Sequence, residues 1–238
     1  MFRELLKRSS SRIPSQCAVC GAWPAQPVCE ACVARFAQPL QRCETCALAL
    51  TAAAQRCGIC IRQAPALNAC IAAVSYGYPW SQLILRWKFH GQSAWSGQFA
   101  LLLRSTPWVE PALEQAHLLL PMPLSRQRLA QRGFNQALEL ARKLDAAKTD
   151  AHLLLRIKDT PAQSSLSRSA RQASVRSAFA VAPLRTDALQ GKRVVLLDDV
   201  MTTGASINAA AAALRAAGAA HVTGMVLART EEEHQPGA

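Results

Sequence analysis

Val194-Val195-Leu196-Leu197-Asp198-Asp199-Val200-Met201-Thr202-Thr203-Gly204-Ala205-Ser206 is the stretch on which the reading of this chain turns. Val194 to Leu197 is apolar, half of it β-branched, and bounded by charge, so it predicts a strand. Ala205 to Ala217 is alanine-rich and stops at Gly218, the composition of a helix with a C-terminal glycine cap. His221 to Ala228 then returns as a strand. Strand, helix, strand means a parallel pair joined by a right-handed crossover, and hence a mostly parallel sheet with helices on its faces.

Upstream the same logic extends the sheet. Ile71 to Tyr78 reads as a strand, broken at Pro79 before Trp80 to Phe89, whose Leu83, Ile84 and Trp87 follow helical spacing; His90-Gly91 closes that helix. Gln98 to Arg104 predicts another helix, with Pro107 and Pro111 interrupting the chain after it. His117 to Pro121 is a short strand. Arg126 to about Ala147 is helical, in one piece or in two divided near Gly133, and His152 to Ile157 is a further strand.

In open α/β sheets ligands gather at the carboxyl ends of the strands. Asp198 and Asp199 stand there, followed by the hydroxyl-bearing Thr202-Thr203-Gly204-Ala205-Ser206 turn that opens a helix. Backbone N–H groups at such a turn surround a phosphate, the hydroxyls donate further hydrogen bonds, and Gly204 lets the backbone approach closely. The two carboxylates can accept from vicinal ribose hydroxyls. The combination points to a phosphorylated pentose. No G-x-x-x-x-G-K-[ST] and no G-x-G occurs, which argues against a P-loop and against a dinucleotide fingerprint.

The 238 residues are 50% hydrophobic and 5% aromatic, enough for one main core and a small appendage, with too few aromatics for an all-β sandwich. The net charge of +12 is concentrated: Pro121 to Arg193 holds fourteen Lys or Arg against five Asp or Glu. That field suits a polyphosphate or a nucleic-acid backbone, and charge alone does not separate the two. Arg126, just after the Pro123-Leu124-Ser125 turn, and next Arg132, are the candidates for contact with a pyrophosphate. Thr160 to Ser177, with Arg168, Arg171 and Arg176 among serines, reads either as a mobile flap or as an amphipathic helix. Trp87, Lys88 and Phe89 could stack on single-stranded nucleic acid, although helical spacing assigns Trp87 to the core.

Met1 to Arg8 lacks the apolar region of a secretory signal and no run is long enough to span a membrane, so a cytoplasmic protein without membrane insertion is expected. There an oxidised disulfide framework is disfavoured. The pairs Cys17-x-x-Cys20, Cys29-x-x-Cys32, Cys43-x-x-Cys46 and Cys57-x-x-Cys60 therefore read as knuckles for two structural zinc ions, each held by four thiolates with no open position for water. Consecutive pairing, Cys17, Cys20, Cys29 and Cys32 on one ion and Cys43, Cys46, Cys57 and Cys60 on the other, closes the shortest loops, while first with third and second with fourth stays open. Cys70 is left as a small hydrophobe.

These segments together resemble the ComF (competence protein F, or GntX) family of the type I phosphoribosyltransferase superfamily. The resemblance is carried by the CxxC pairs, Leu85-Arg86-Trp87-Lys88-Phe89-His90-Gly91, Pro121-Met122-Pro123-Leu124-Ser125, Arg132-Gly133-Phe134-Asn135-Gln136-Ala137, Gln163-Ser164-Ser165-Leu166 and the acid pair with its Thr-Thr-Gly-Ala-Ser loop. It implies an α/β fold with a mostly parallel sheet of the type I phosphoribosyltransferase kind, preceded by a small cysteine-rich zinc ribbon module. The expected organisation is a tail over 1–16, a double zinc ribbon over 17–69 and the phosphoribosyltransferase-like domain over 70–238. It further implies that Asp198, Asp199, Thr202, Thr203, Gly204, Ala205 and Ser206 bind 5-phosphoribosyl-1-pyrophosphate with magnesium. Partners implied are that ligand, single-stranded DNA and the DNA-uptake machinery. Either the group is transferred to an acceptor the sequence does not specify, or the site only regulates a DNA-binding accessory protein.

Overall fold

The run Arg193–Met201 becomes a strand buried on both faces because helices cover the sheet from either side, which is why it reads as continuous apolar residues and not as alternation. The computed structural model describes residues 15–23, 25–51, 54–89, 92–158 and 177–231. Packing divides the chain into two compact units, Met1–Gln38 and Pro39–Ala238, so the second set of four cysteines belongs to the same unit as the sheet.

In the smaller unit the one described helix is α1 (Glu30–Phe36). The larger unit runs α2 (Gly58–Arg62), β1 (Ala69–Ser75), α3 (Trp80–Phe89), α4 (Trp95–Arg104), α5 (Val109–Gln115), β2 (Leu118–Pro121), α6 (Arg126–Arg132), α7 (Gln136–Asp145), β3 (Leu154–Arg156), β4 (Phe179–Val181), a 3-10 turn (Pro183–Leu189), β5 (Arg193–Met201), α8 (Ala205–Ala216) and β6 (His221–Arg229). The four-stranded sheet has the order β1-β6-β5-β2 and every pairing is parallel. Its two inner strands are in register from Arg193↔His221 to Met201↔Arg229, so both end at the same edge. β3 and β4 form a separate antiparallel ribbon, Leu154↔Val181 to Arg156↔Phe179.

The helical expectations hold where apolar spacing is unambiguous: α3 has the anticipated ends, and Leu83, Ile84 and Trp87 face inward. The long stretch after Arg126 is two helices. Gly133, at φ 78, ends α6, and Asn135 starts α7 by accepting from Ala137 N at 3.0 Å and Leu138 N at 3.4 Å. Asn135 Nδ2 also donates to Met122 O at 3.1 Å, which pins the turn after β2.

Several boundaries move for local reasons. β5 continues past Leu197 through Asp198 and Asp199 to Met201, because β6 runs beside it for the whole distance. The acids therefore lie within the end of the strand and not beyond it. β1 stops at Ser75, where β6 also stops. The strand expected from His152 begins at Leu154, since Asp150 Oδ1 accepts from His152 N and Leu153 N at 2.9 and 3.1 Å and holds a turn there. Pro111 does not interrupt the chain: it lies in the first turn of α5, where a missing N–H costs no intrahelical bond. The expected Thr160 to Ser177 flap and the His90-Gly91 cap fall outside the described residues, apart from Ser177.

Trp87 anchors the helical layer. It is fully buried, its Nε1 donates to the equally buried Ser96 Oγ at 3.1 Å, and its ring meets Phe99 edge-on at 5.1 Å. Replacing it with alanine empties this pocket and leaves the hydroxyl without its donor. We expect Trp87→Ala to lower unfolding free energy by about 3–5 kcal/mol in a urea titration; a loss under about 1 kcal/mol would show the side chain is not a core element.

Candidate functional site

At the carboxyl edge of the sheet lies a cavity of about 500 Å³. Its wall includes Asp198, Asp199, Val200 and Met201 from the end of β5 and the whole loop Thr202 to Ser206. Met122, Pro123 and Leu124 come from the turn after β2, Lys88 and Phe89 from the end of α3, Arg128 and Arg132 from α6, and Arg156 from β3. All seven residues expected to hold a phosphorylated pentose thus face one space. Arg132 joins them. Arg126 is exposed and is not part of this wall; Arg128, two residues on and about 200° around the helix, is.

Asp199 is buried at 6% exposure and paired from two directions: Lys88 Nζ stands 3.0 Å from one carboxylate oxygen and Arg132 Nη1 3.7 Å from the other. Arg132 is itself placed, because its Nη1 donates to the buried Gln136 Oε1 at 3.0 Å and its guanidinium lies over the Phe89 ring at 5.5 Å. Asp198 Oδ1 accepts from Asp199 N at 2.8 Å. Burial first, and then the charge of Asp199, push its carboxyl up to about 7, against the pull of that N–H, Lys88 and Arg132. Tyr76, also in the wall, is held above the usual phenol range by burial and by Asp199, so its hydroxyl remains a donor.

The loop is shaped by Gly204. Its φ of +78 belongs to the left-handed region, and a Cβ there would stand 3.3 Å from both Met201 Cε and Asn208 Nδ2. Gly204 caps α8, whose first-turn N–H groups have no intrahelical acceptor and are available to an anion. Thr202 and Thr203 are exposed, and Thr203 Oγ1 accepts from Ala205 N at 3.3 Å.

The cysteines gather in consecutive pairs. Cys17, Cys20, Cys29 and Cys32 form one group and Cys43, Cys46, Cys57 and Cys60 the other, the sulfurs of each lying within 4.8 Å of one another. The two groups repeat one local design. Residues Gly21 and Ala47, each following the first pair, have φ of 75 and 56, and Cys29 and Cys57 are the N-caps of α1 and α2. Sulfur contacts of 3.8 Å (Cys17–Cys32), 3.7 Å (Cys20–Cys29) and 3.7 Å (Cys46–Cys57) match the edge of about 3.8 Å for four thiolates around an ion at about 2.3 Å, and are far longer than a disulfide. Burial opposes ionisation of Cys17 and Cys43, yet backbone N–H groups, those of Cys29 and Cys57 among them, outweigh it and hold the thiols down at about 6 and about 7. Both tetrads could hold zinc. Cys70 is buried and belongs to neither group of four, and burial raises its thiol to about 12.

Lys88, Arg128, Arg156 and Tyr76 of the cavity wall escaped the sequence reading, as did Arg229, which lies outside that wall and donates to Cys46 O, Met201 O and Thr202 O. Lys88 had a signal: next to a core-facing Trp87, it must sit about 100° around the helix, on the rim of the buried face. Arg229 also had one, as a lone cation closing the apolar strand His221–Arg229. Arg156 had none, since it depends on where the β3–β4 ribbon packs.

The fold and this site define a phosphoribosyltransferase-type domain, and the family model described as phosphoribosyl transferase domain matches residues 129–236. The chain is 32% identical to Competence protein F of Haemophilus influenzae over 179 residues, 72% of this chain and 77% of that one. It is 30% identical to Competence protein ComFC of Bacillus subtilis, over 71% and 68% of the two chains, and 28% identical to DNA utilization protein YhgH of Salmonella typhimurium, over 85% and 90%. The chain belongs to the ComF (competence protein F) family. Among solved structures, the allosteric regulatory enzyme of purine biosynthesis matches at 18% identity and a TM-score of 0.36, over 56% of this chain and 25% of that one.

Metal analysis of the purified chain should find two equivalents of divalent ion, falling to one in Cys20→Ser; a wild-type content of one or none would refute the paired tetrads. Asp198 supplies a second expectation. Its folded carboxyl titrates near 7, above the unfolded value of 3.8, so the fold binds the extra proton and stability declines as pH rises between those values. Asp198→Asn should therefore raise the melting temperature at pH 8 and change it little at pH 4; equal effects at both would deny the raised carboxyl.

Proposed function

We propose that this chain binds 5-phosphoribosyl-1-pyrophosphate, as its magnesium complex, in the cavity at the end of β5. The observation that carries this reading is that one cavity is lined by two acids, a hydroxyl-rich loop and the cations Lys88, Arg128 and Arg132, of which Lys88 and Arg132 pair with Asp199. A 5-phosphate fits the loop, where N–H groups of the Thr202 to Ser206 turn and the threonine hydroxyls converge. The ribose hydroxyls fit Asp198 and Asp199 as donors to carboxylates. The pyrophosphate fits the three cations, and magnesium on its oxygens would neutralise the remaining charge.

Transfer breaks the bond from ribose C1 to the pyrophosphate oxygen, and that electron pair leaves with pyrophosphate. The sugar then carries oxocarbenium-like positive charge, and the acceptor's lone pair forms the new bond to C1. The chain's residues position the ligand and stabilise the leaving group, and no protein nucleophile takes part. The two tetrads are structural zinc sites in this reading, since all four positions are thiolates.

The relatives' names, competence protein and DNA utilization protein, support a role linked to competence or DNA use. Among the described residues no helix is long and apolar enough to cross a membrane. A second reading, in which DNA is bound directly and the sugar-phosphate site regulates it, draws on the same +12 charge, which suits a nucleic-acid backbone as well as a polyphosphate.

Calorimetry separates the two. With Asp198 and Asp199 both replaced by asparagine, binding of magnesium phosphoribosyl pyrophosphate should be lost, at least a hundredfold in Kd, while salt-sensitive binding of single-stranded DNA persists. Unchanged ligand affinity in the double variant would refute the site. Release of pyrophosphate on addition of nucleobases or amines would add turnover to binding.

A further inference from the structure

Arg229, the last residue of β6, is 3% exposed and lies between the second tetrad and the back of the loop Thr202 to Ser206. A buried guanidinium is costly unless its donors are satisfied. Here the partners are backbone carbonyls from two separate places. On one side Nε donates to Cys46 O at 3.1 Å, the carbonyl of a residue whose sulfur belongs to the tetrad. On the other, Nη1 reaches Met201 O at 3.3 Å, Thr202 O and Thr230 O. Thr230 N also donates to Met201 O, at 3.0 Å.

Peptide geometry turns these contacts into a statement about the ligand side. In a trans peptide the carbonyl of one residue and the N–H of the next point in opposite directions. Drawing Met201 O and Thr202 O back toward Arg229 directs the N–H groups of Thr202 and Thr203 away from it, to the side on which both residues line the cavity. Successive N–H groups presented in this way form a concave anion site. A second cavity, of about 420 Å³, has Cys46, Cys57 and Cys60 in one wall and Thr203, Ala205 and Asn208 in the other, so the tetrad stands directly behind the loop. The tetrad is also tied to the strand ends: Arg42 Nη1 donates to Ala47 O at 2.9 Å and to Glu231 Oε1 at 3.0 Å, its Nη2 donates to Ser75 Oγ at 2.9 Å, and Glu231 Oε2 accepts from Ala49 N at 3.0 Å.

We propose that Arg229 is a positioning residue that couples the second tetracysteine centre to the phosphate loop, so that an ion held by Cys43, Cys46, Cys57 and Cys60 sets the grip on a sugar 5-phosphate. The inference rests on the reading of the loop as the 5-phosphate site. A metal-held Cys46 fixes the carbonyl that anchors Arg229, and Arg229 fixes the peptide planes that face the phosphate. The first tetrad belongs to the smaller unit and serves as the control. Lysine cannot replace arginine here, since one ammonium on a flexible stem does not span two sets of carbonyls as a planar fork does. Because coupling is reciprocal, a bound 5-phosphate raises the metal affinity of the second centre by the same factor.

The experiment uses the full metal-loaded chain and two probes, ribose 5-phosphate for the loop and magnesium pyrophosphate for the cation side. Affinities are measured by calorimetry for wild type, Arg229→Lys, Cys60→Ser and Cys20→Ser. Cys60→Ser removes a ligand of the second centre without touching Cys46, and Cys20→Ser does the same to the first. We expect ribose 5-phosphate to bind at least tenfold more weakly in Arg229→Lys and Cys60→Ser and within twofold of wild type in Cys20→Ser. Pyrophosphate affinity should stay within twofold throughout, a split that a general loss of structure would not produce. Ribose 5-phosphate should also slow transfer of one of the two ions to a chelating dye.

Hydrogen exchange in the absence of any ligand supplies an independent arm: amides of residues 202–206 should lose protection in Arg229→Lys while those of β5 keep theirs. Wild-type affinity and wild-type loop protection in Arg229→Lys would overturn the coupling. If wild type binds no ribose 5-phosphate, the 5-phosphate reading fails instead, and the exchange arm still decides whether Arg229 and the metal centre order the loop.

Discussion

The parallel pairing of β5 with β6, in register to the last residue of each, is the constraint on which this protein depends. It brings Asp198 and Asp199 to the edge of the sheet, starts the glycine-capped loop at that edge, and delivers Arg229 to the place opposite Met201. A slip of one residue would carry the acids and the start of the loop about 3.3 Å along the sheet and turn their side chains to the opposite face, away from the residues that now meet them.

The cavity itself is costly in stability. It collects two neighbouring acids, one of them pushed toward neutrality, and cations that would otherwise be solvated. Pairing Asp199 with Lys88 and Arg132 offsets part of that cost, and Gln136 and Phe89 hold Arg132 in the geometry the pair needs. Such a site is ready for a ligand bearing both hydroxyl donors and phosphate charge, which can satisfy the acids and the cations together.

The two cysteine groups make a different point. Each uses a left-handed residue after its first pair and a helix N-cap cysteine to open its second, so their local geometry is nearly the same. Their settings differ. The first belongs to the small unit, and the second is packed into the large one, against the end of the sheet and behind the loop. A module that repeats in sequence need not repeat in role, because role follows from what the surrounding packing places against it.

Much of this molecule was legible without coordinates because the signals were local. Apolar spacing in Trp80 to Phe89, the Gly133 and Asn135 stop and start, and the order of acid pair, hydroxyl loop and helix are all set by residues a few positions apart, where backbone sterics and hydrogen bonding act directly. What lay outside that range was contributed by residues far apart in sequence. Lys88 meets Asp199 across 111 positions and Arg229 meets Cys46 across 183, through packing of helices and strands that no short window contains. The same cause put Arg128 beside the expected Arg132 in the cavity wall and left Arg126 out of it: a helix's sequence states its faces, but which face meets the cavity is decided by the layers it packs between.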